Sequence, residues 1–173
     1  WENYDLIFNT RRGGQIVNYD VMSGPENNHR NWGLNLDGLD TAISGLNGKK
    51  SMLVLNYPSN PGGYTPTRSE AMQVVSLIAK AKGPMVVLLD EAYKGMEWDE
   101  ACYKDSLFHE LAKLDPEKFL IAKVDGATKE LFFFGGRVGF VSFATPDPES
   151  AAVLEEKIKS AIRSAVSALP SPS

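Results

Sequence analysis

The chain has 173 residues, is 43% apolar and 23% charged, and carries a net charge of −4, the profile of one soluble globular domain able to bury a sizeable core. A mildly acidic chain without a Lys/Arg cluster lacks the counterion-release term that nucleic-acid binding depends on. No apolar run approaches the roughly 20 residues of a membrane span, and the N-terminus has no basic-then-apolar signal pattern. Cys102 is the single cysteine; an internal disulfide and a cysteine metal cluster are therefore excluded, and a reducing cytoplasm is the expected compartment.

Trp1 opens the chain without a methionine and Leu169-Pro-Ser-Pro-Ser173 closes it, so a piece of a longer protein is expected. Asn3 to Arg11 reads as helical and leads through Gly13-Gly14 into an extended stretch, Gln15 to Val21. Ser23 to Trp32 is polar, with Gly, Pro and Asn, and reads as a loop. Leu39, Ala42, Ile43 and Leu46 have the spacing of a helix face, with Asp37 as expected N-cap and Gly48 past the end.

Met52-Leu-Val-Leu55 is a short apolar run of strand type. Thr67-Arg-Ser-Glu70 fits a capping box for a helix bearing Met72, Val75, Leu77, Ile78 and Ala81, with its stop expected at Gly83-Pro84. Met85 to Leu89 is continuously apolar, as in a strand covered on both faces. A helix over Ser106 to Leu114 is expected to lead into a strand, Phe119 to Ala122, then a loop, then a strand from Val138 to Ala144. Asp147-Pro148-Glu149 opens a final helix with proline at its first position; Leu154, Ile158, Ala161, Ile162 and Ala165 share one face, and Lys157, Lys159 and Arg163 read as a solvated face. Alternating strands and helices predict an α/β fold, a three-layer αβα arrangement around a mostly parallel sheet. Ligands in such sheets bind beyond the carboxyl ends of the strands.

The loops at those ends read Asn56-Tyr-Pro-Ser-Asn-Pro-Gly-Gly63, Asp90-Glu-Ala-Tyr93 and Asp125-Gly-Ala-Thr-Lys129, the last followed by Gly135-Gly-Arg-Val-Gly139. Each alone is ordinary: a turn, a capping carboxylate, a surface lysine. In this order and spacing, with Arg137 eight positions after Lys129 (137 minus 129), the set resembles fold-type-I pyridoxal-phosphate enzymes, specifically the class I/II aminotransferase family. The resemblance runs from Trp1 to about Ala144.

It implies a role for each matching residue. Lys129 matches the Schiff-base lysine and proton carrier. Asp90 matches the carboxylate that keeps the pyridine nitrogen protonated. Asn60 and Tyr93 match the pair hydrogen-bonded to the cofactor's phenolic oxygen, and the bond before Pro61 is often cis in the family. Arg137 matches the phosphate ligand, whose guanidinium fork suits a phosphate dianion, and Trp1 the aromatic plate on the pyridine ring. Glu91 should point elsewhere and be structural.

The same resemblance implies pyridoxal 5′-phosphate as cofactor, no metal, amino-acid and 2-oxo-acid substrates, and a homodimeric parent protein. Residues 1–145 would form an incomplete cofactor-binding large domain, and 146–173 a long helix and exit toward a small domain. The family's phosphate-binding glycine-rich turn, its substrate-clamping arginine and its N-terminal arm fall outside the chain. Gly126 stands where many relatives carry a phosphate-binding serine, for which Thr128 is the nearest substitute. The fragment alone is expected to bind cofactor weakly and turn over nothing. A carbon–sulfur β-lyase on the same scaffold and a non-catalytic α/β interaction domain are the alternative functions. His29, His109 and Cys102 read as structural or bystander residues, and no Gly-x-Gly-x-x-Gly or P-loop is present.

Overall fold

The computed structural model describes residues 3–26, 31–136 and 138–166. A turn of π-helix, Asp5–Thr10, precedes strands β1 (Met22–Ser23) and β2 (Gly33–Leu34), helix α1 (Leu36–Gly45), β3 (Ser51–Asn56), α2 (Arg68–Ala79), β4 (Met85–Asp90) and α3 (Phe108–Leu111). Then follow β5 (Phe119–Gly126), α4 (Ala127–Glu130), β6 (Gly139–Ala144) and α5 (Pro148–Val166). The main sheet has the order β3-β4-β5-β6. Its first three strands are parallel and β6 runs antiparallel to β5, as expected of a mostly parallel α/β sheet.

Alternation of side chains sorts the strands into two faces. Val87 and Leu89 on β4, Leu55 on β3 and Phe119 and Ile121 on β5 are buried together with Ala71, Val74 and Ile78 of α2, Leu39 and Ile43 of α1, and Leu111 of α3. Each such aliphatic side chain contributes roughly 1.5–3 kcal/mol on burial. The face of α2 that reaches the core is Ala71–Val74–Ile78, whereas Met72, Val75 and Leu77 pack only partly against it. The other sheet face is less covered: Val86 and Leu88 are half-buried.

Several boundaries differ from expectation. Asn35, rather than Asp37, caps α1, accepting from the Gly38 amide at 2.9 Å while its own Nδ2 donates to the Asp20 carbonyl at 2.8 Å. A residue that both caps the helix and ties the preceding segment outcompetes one that could only cap. The extended stretch read over residues 15–21 enters no strand ladder; it is tied down by the Asn35 amide donating to the Val21 carbonyl at 2.8 Å and by Tyr19 packing against the core. Helix α2 stops at Ala79, short of Gly83-Pro84. The expected helix over 106–114 keeps only Phe108–Leu111 as α-helix, flanked by tighter three-residue turns such as Glu110 N to Leu107 O at 3.1 Å. Strand β5 continues through Asp125 and Gly126, expected as loop, because Phe140 and Gly139 of the antiparallel β6 extend its ladder. At α5 the expected start stands: Asp147 accepts from the Ser150 amide at 2.8 Å.

The capping box of α2 forms as read, with Glu70 at its centre. Its Oε2 accepts from the Thr67 amide at 2.8 Å and hydroxyl at 2.9 Å, and its Oε1 from the Leu34 amide at 3.0 Å and the Tyr64 hydroxyl at 2.7 Å. Burial pushes this carboxyl's pKa upward, but the four donors outweigh it and hold the group below the usual carboxylate value. The sign follows: with a folded pKa below the unfolded one of about 4.3, the contribution to stability is complete above that pH and disappears as pH falls through the folded value. Wild-type urea midpoints are expected to drop between about pH 5 and pH 3 more steeply than those of Glu70→Gln, which starts lower at neutral pH. Equal slopes for the two proteins would contradict this assignment.

Candidate active site

The parallel register places Asn56, Asp90 and Val124 side by side at the carboxyl edge of the sheet. One residue earlier, the row Leu55, Leu89 and Lys123 faces the core helices; the Asn56–Asp90 row therefore points to the less covered face. The Asp90 carboxylate accepts from the Ala92 amide at 3.1 Å. Burial, and secondly the charge of Asp90, raise the pKa of the Tyr4 hydroxyl. The N-terminal segment thus brings an aromatic side chain within electrostatic reach of Asp90.

The loop after β3 turns back through cis peptides at Tyr57–Pro58 and Asn60–Pro61, the second as the sequence led us to expect. Ser59 closes it, its amide donating to the Tyr64 carbonyl at 2.9 Å and its hydroxyl accepting from the Tyr64 amide at 3.0 Å. Gly63 has φ +69°, a left-handed conformation that glycine adopts without steric cost. At the tip, Asn60 Nδ2 donates to the Tyr93 hydroxyl at 3.0 Å. These two side chains, 33 residues apart in sequence, form one polar pair.

Lys129 lies on the single helical turn α4, which the β5–β6 pairing carries to the same edge; the Ala127 amide donates to the Val138 carbonyl at 3.1 Å. Its ammonium is 5.7 Å from the Tyr93 ring centroid and 6.0 Å from that of Phe134. None of the ion pairs among the described residues involves Lys129. Asn60, Tyr93 and Lys129 are therefore contiguous, and Asp90 stands at the end of the strand that leads to Tyr93. Trp1 and Arg137 lie outside the described residues. Gly136 is buried, and a Cβ there would run into the Phe133 ring, so that position depends on the missing side chain, whereas Gly135 has open space around it.

Glu91 points the other way, into the core face, and is 7% exposed. It accepts from the Ser106 hydroxyl at 2.6 Å and faces Lys123 Nζ at 3.6 Å; Lys123 also pairs with Asp125 at 3.0 Å. Burial alone would lower the Lys123 pKa, but the two carboxylates raise it. Among the described residues no group of His, Cys, Asp and Glu is arranged to hold a metal, and no helix is long and apolar enough to cross a membrane. His109 sits on α3, while His29 lies outside the described residues. Asn56 has no role of its own in the motif reading. It donates through Nδ2 to the Asp90 carbonyl at 3.0 Å and accepts through Oδ1 from the Asn60 amide at 2.7 Å.

The family description "Aminotransferase class I and II" matches residues 1–173. The chain belongs to this family. Curated relatives include a tyrosine aminotransferase of Bos taurus, 30% identical over 129 residues, which cover 75% of this chain and 25% of that protein. A probable aspartate/prephenate aminotransferase of Rickettsia conorii is 27% identical over 141 residues, 81% of this chain and 31% of its own length. Among solved structures, an aromatic-amino-acid aminotransferase from Burkholderia pseudomallei, covalently bound to pyridoxal phosphate, matches 99% of this chain and 40% of its own at 25% identity and TM-score 0.73. An aminotransferase from Anaerococcus prevotii shares the fold at TM-score 0.79 and 17% identity, over 98% of this chain and 41% of its own. The three-layer α/β architecture expected from the sequence is thus the family's fold, and the chain spans about a quarter to a third of the curated relatives' length.

Proposed function

We propose that the protein carrying this chain transfers amino groups between an amino acid and a 2-oxo acid with pyridoxal 5′-phosphate as cofactor. The observation that carries the reading is the contiguity of the Lys129 amine with the Asn60–Tyr93 pair beside the strand end bearing Asp90. The donor set fits the group. An amine with no carboxylate partner among the described residues is free for covalent attachment, a phenol and a carboxamide supply donors for an oxyanion, and a carboxylate supplies the partner for a protonated ring nitrogen.

When bound, pyridoxal phosphate supplies an electron sink for the carbanion at the substrate Cα. Lys129 Nζ would anchor the group and, with its amine freed when a substrate amine binds, would accept the proton that leaves the substrate Cα. Asp90 would hold the ring nitrogen protonated by its charge, and the Tyr93 and Asn60 donors would serve the phenolic oxygen, favouring its charged form. Arg137 and, with Gly126 in place of the family serine, Thr128 would hold the phosphate; Trp1 would cover the ring.

Residues 1–145 serve in this reading as the cofactor-holding core and 146–173 as the connection to a small domain. The apolar face of α5 supports that role: Ala161, Ile162 and Ala165 on it are exposed, Ile162 at 43%. The reading also carries a cytoplasmic homodimer. The exposed run Leu131 to Phe134 beside Lys129, with Phe132 at 86%, supports a partner surface at the site. The isolated 173-residue chain is expected to bind cofactor weakly and to be inactive.

Incubating the full-length protein with a nitrogen-labelled amino acid and an unlabelled 2-oxo acid tests the proposal. Label appearing in the amino acid derived from the 2-oxo acid supports it; release of ammonia and a new 2-oxo acid instead would mean lyase chemistry. Gly126 offers a finer test. Its backbone is extended, φ −162° and ψ 143°, and a Cβ there would meet Val138 O at 3.5 Å, an ordinary contact. Gly126→Ser is therefore expected to fold normally and to tighten pyridoxal-phosphate binding about tenfold, the scale of one hydrogen bond to a charged group. Unchanged affinity in an absorbance titration would remove position 126 from the phosphate site.

A further inference from the structure

We propose that Asn56 is a positioning residue that fixes the Asn60–Tyr93 pair relative to Asp90. The inference rests on the proposed function for the identity of the ligand but not for the hydrogen bonds themselves. Asn60 is exposed on a loop tip, and a donor there presents a defined direction only if its backbone is held. Asn56 holds it: Oδ1 accepts from the Asn60 amide at 2.7 Å, the shortest link between that tip and the sheet. The other half of the same carboxamide donates to the Asp90 carbonyl at 3.0 Å, across the parallel pair in which Asn56 and Asp90 are register partners. Asp90 leads within three residues to Tyr93, which receives the Asn60 side chain at 3.0 Å.

The result is a closed ring of contacts: Asn56 to Asp90, along the chain to Tyr93, across to Asn60, and back to Asn56. Only a side chain with a donor and an acceptor on one planar group can make both of its links at once. Aspartate could accept from Asn60 but would set a carboxylate against the Asp90 carbonyl; alanine can make neither link. Ser59 and Gly63 close the far half of the loop but contact neither Asp90 nor Tyr93 in any of these bonds. Asn56 acts on the ligand only through the residues it aligns.

The test uses the full-length protein in two states. Without cofactor, hydrogen exchange at the Asn60 amide reads the Oδ1 link directly. Asn56→Ala is expected to accelerate it at least tenfold while the core amides of Val87 and Leu111 keep wild-type protection, and Asn56→Asp is expected to restore most of the protection. Loaded with pyridoxal phosphate, Asn56→Ala should move the pH midpoint of the cofactor's absorbance change upward, in the same direction as Asn60→Ala, because loosened donors favour the charged oxygen less. Wild-type exchange at Asn60, or a wild-type midpoint, in Asn56→Ala overturns the proposal. Should alanine lose core protection, Asn56→Asp decides: Asn60 must stay protected while the midpoint shifts, and any other pattern counts against the ring. If wild-type protein fails to take up pyridoxal phosphate at all, the proposed function falls while the exchange result still judges the link.

Discussion

Lys129→Ala is expected to lower amino-group transfer by about 10⁴-fold or more while leaving the fold intact. The rate estimate joins the loss of a positioned proton carrier, about 10²–10⁴-fold by itself, to the loss of covalent anchoring. Among the described residues no neighbouring lysine is placed to take over. Lys94 pairs with Glu97 at 2.9 Å and donates to the Asp105 carbonyl at 3.1 Å. Lys123 is engaged by Glu91 and Asp125 on the opposite face of the sheet. The fold should tolerate the change, because Lys129 is half-buried on a one-turn helix and forms no ion pair among the described residues; such substitutions usually stay within about 0.5 kcal/mol. Initial rates with the full-length variant, alongside its urea midpoint, check both halves. Activity within tenfold of wild type would transfer the proton-carrying role to another group.

Asp90→Asn isolates charge from shape. The carboxamide can still accept from the Ala92 amide, now 3.1 Å from Asp90 Oδ1, so the turn after β4 should persist. What disappears is the negative charge at the end of the strand. If that charge keeps the cofactor nitrogen protonated, transfer should fall by about 10²–10³-fold, the usual scale for one preorganised electrostatic contact. A second reading of the same variant needs no cofactor. Asp90 helps burial raise the Tyr4 hydroxyl's pKa, and because a nearby negative charge disfavours tyrosinate, its removal must move that pKa down toward the ordinary value. Carbon-labelled tyrosine followed by NMR titration measures this. A downward shift with unchanged catalysis would leave Asp90 near the site but outside the chemistry; no shift would deny even the proximity.

What the sequence disclosed about this molecule follows from how local each cause was. The capping box of α2 was legible because all its donors and acceptors but two lie between Thr67 and Glu70; the Tyr64 and Leu34 links that make Glu70 a hub are tertiary. Met85 to Leu89 was legible as a strand because a core strand needs an uninterrupted apolar run; that the strand also takes in Asp90 was not. Asp125 and Gly126 were not, since a polar residue followed by glycine becomes strand only when β6 supplies a partner. Asn35 won the cap of α1 through a contact with Asp20 that no local pattern encodes. Glu91 could be separated from Asp90 by strand alternation alone.

At the site, the family resemblance pointed to Trp1, Asn60, Asp90, Tyr93, Lys129 and Arg137; Trp1 and Arg137 lie outside the described residues, and the fold sets Asn60, Tyr93 and Lys129 in contact or near contact. The clamp made by Asn56 was hidden, because an asparagine at a strand end reads equally well as a turn residue. Its signal is the four-residue offset to Asn60 across Pro58, which bends the chain back onto its own strand.

The most direct measurement is borohydride reduction of the full-length protein in the presence of pyridoxal phosphate, followed by peptide mapping. A stable adduct on Lys129, absent from Lys129→Ala, is the predicted result. An adduct on Lys94, Lys123 or any other lysine, with Lys129 unmodified, would contradict the site built here.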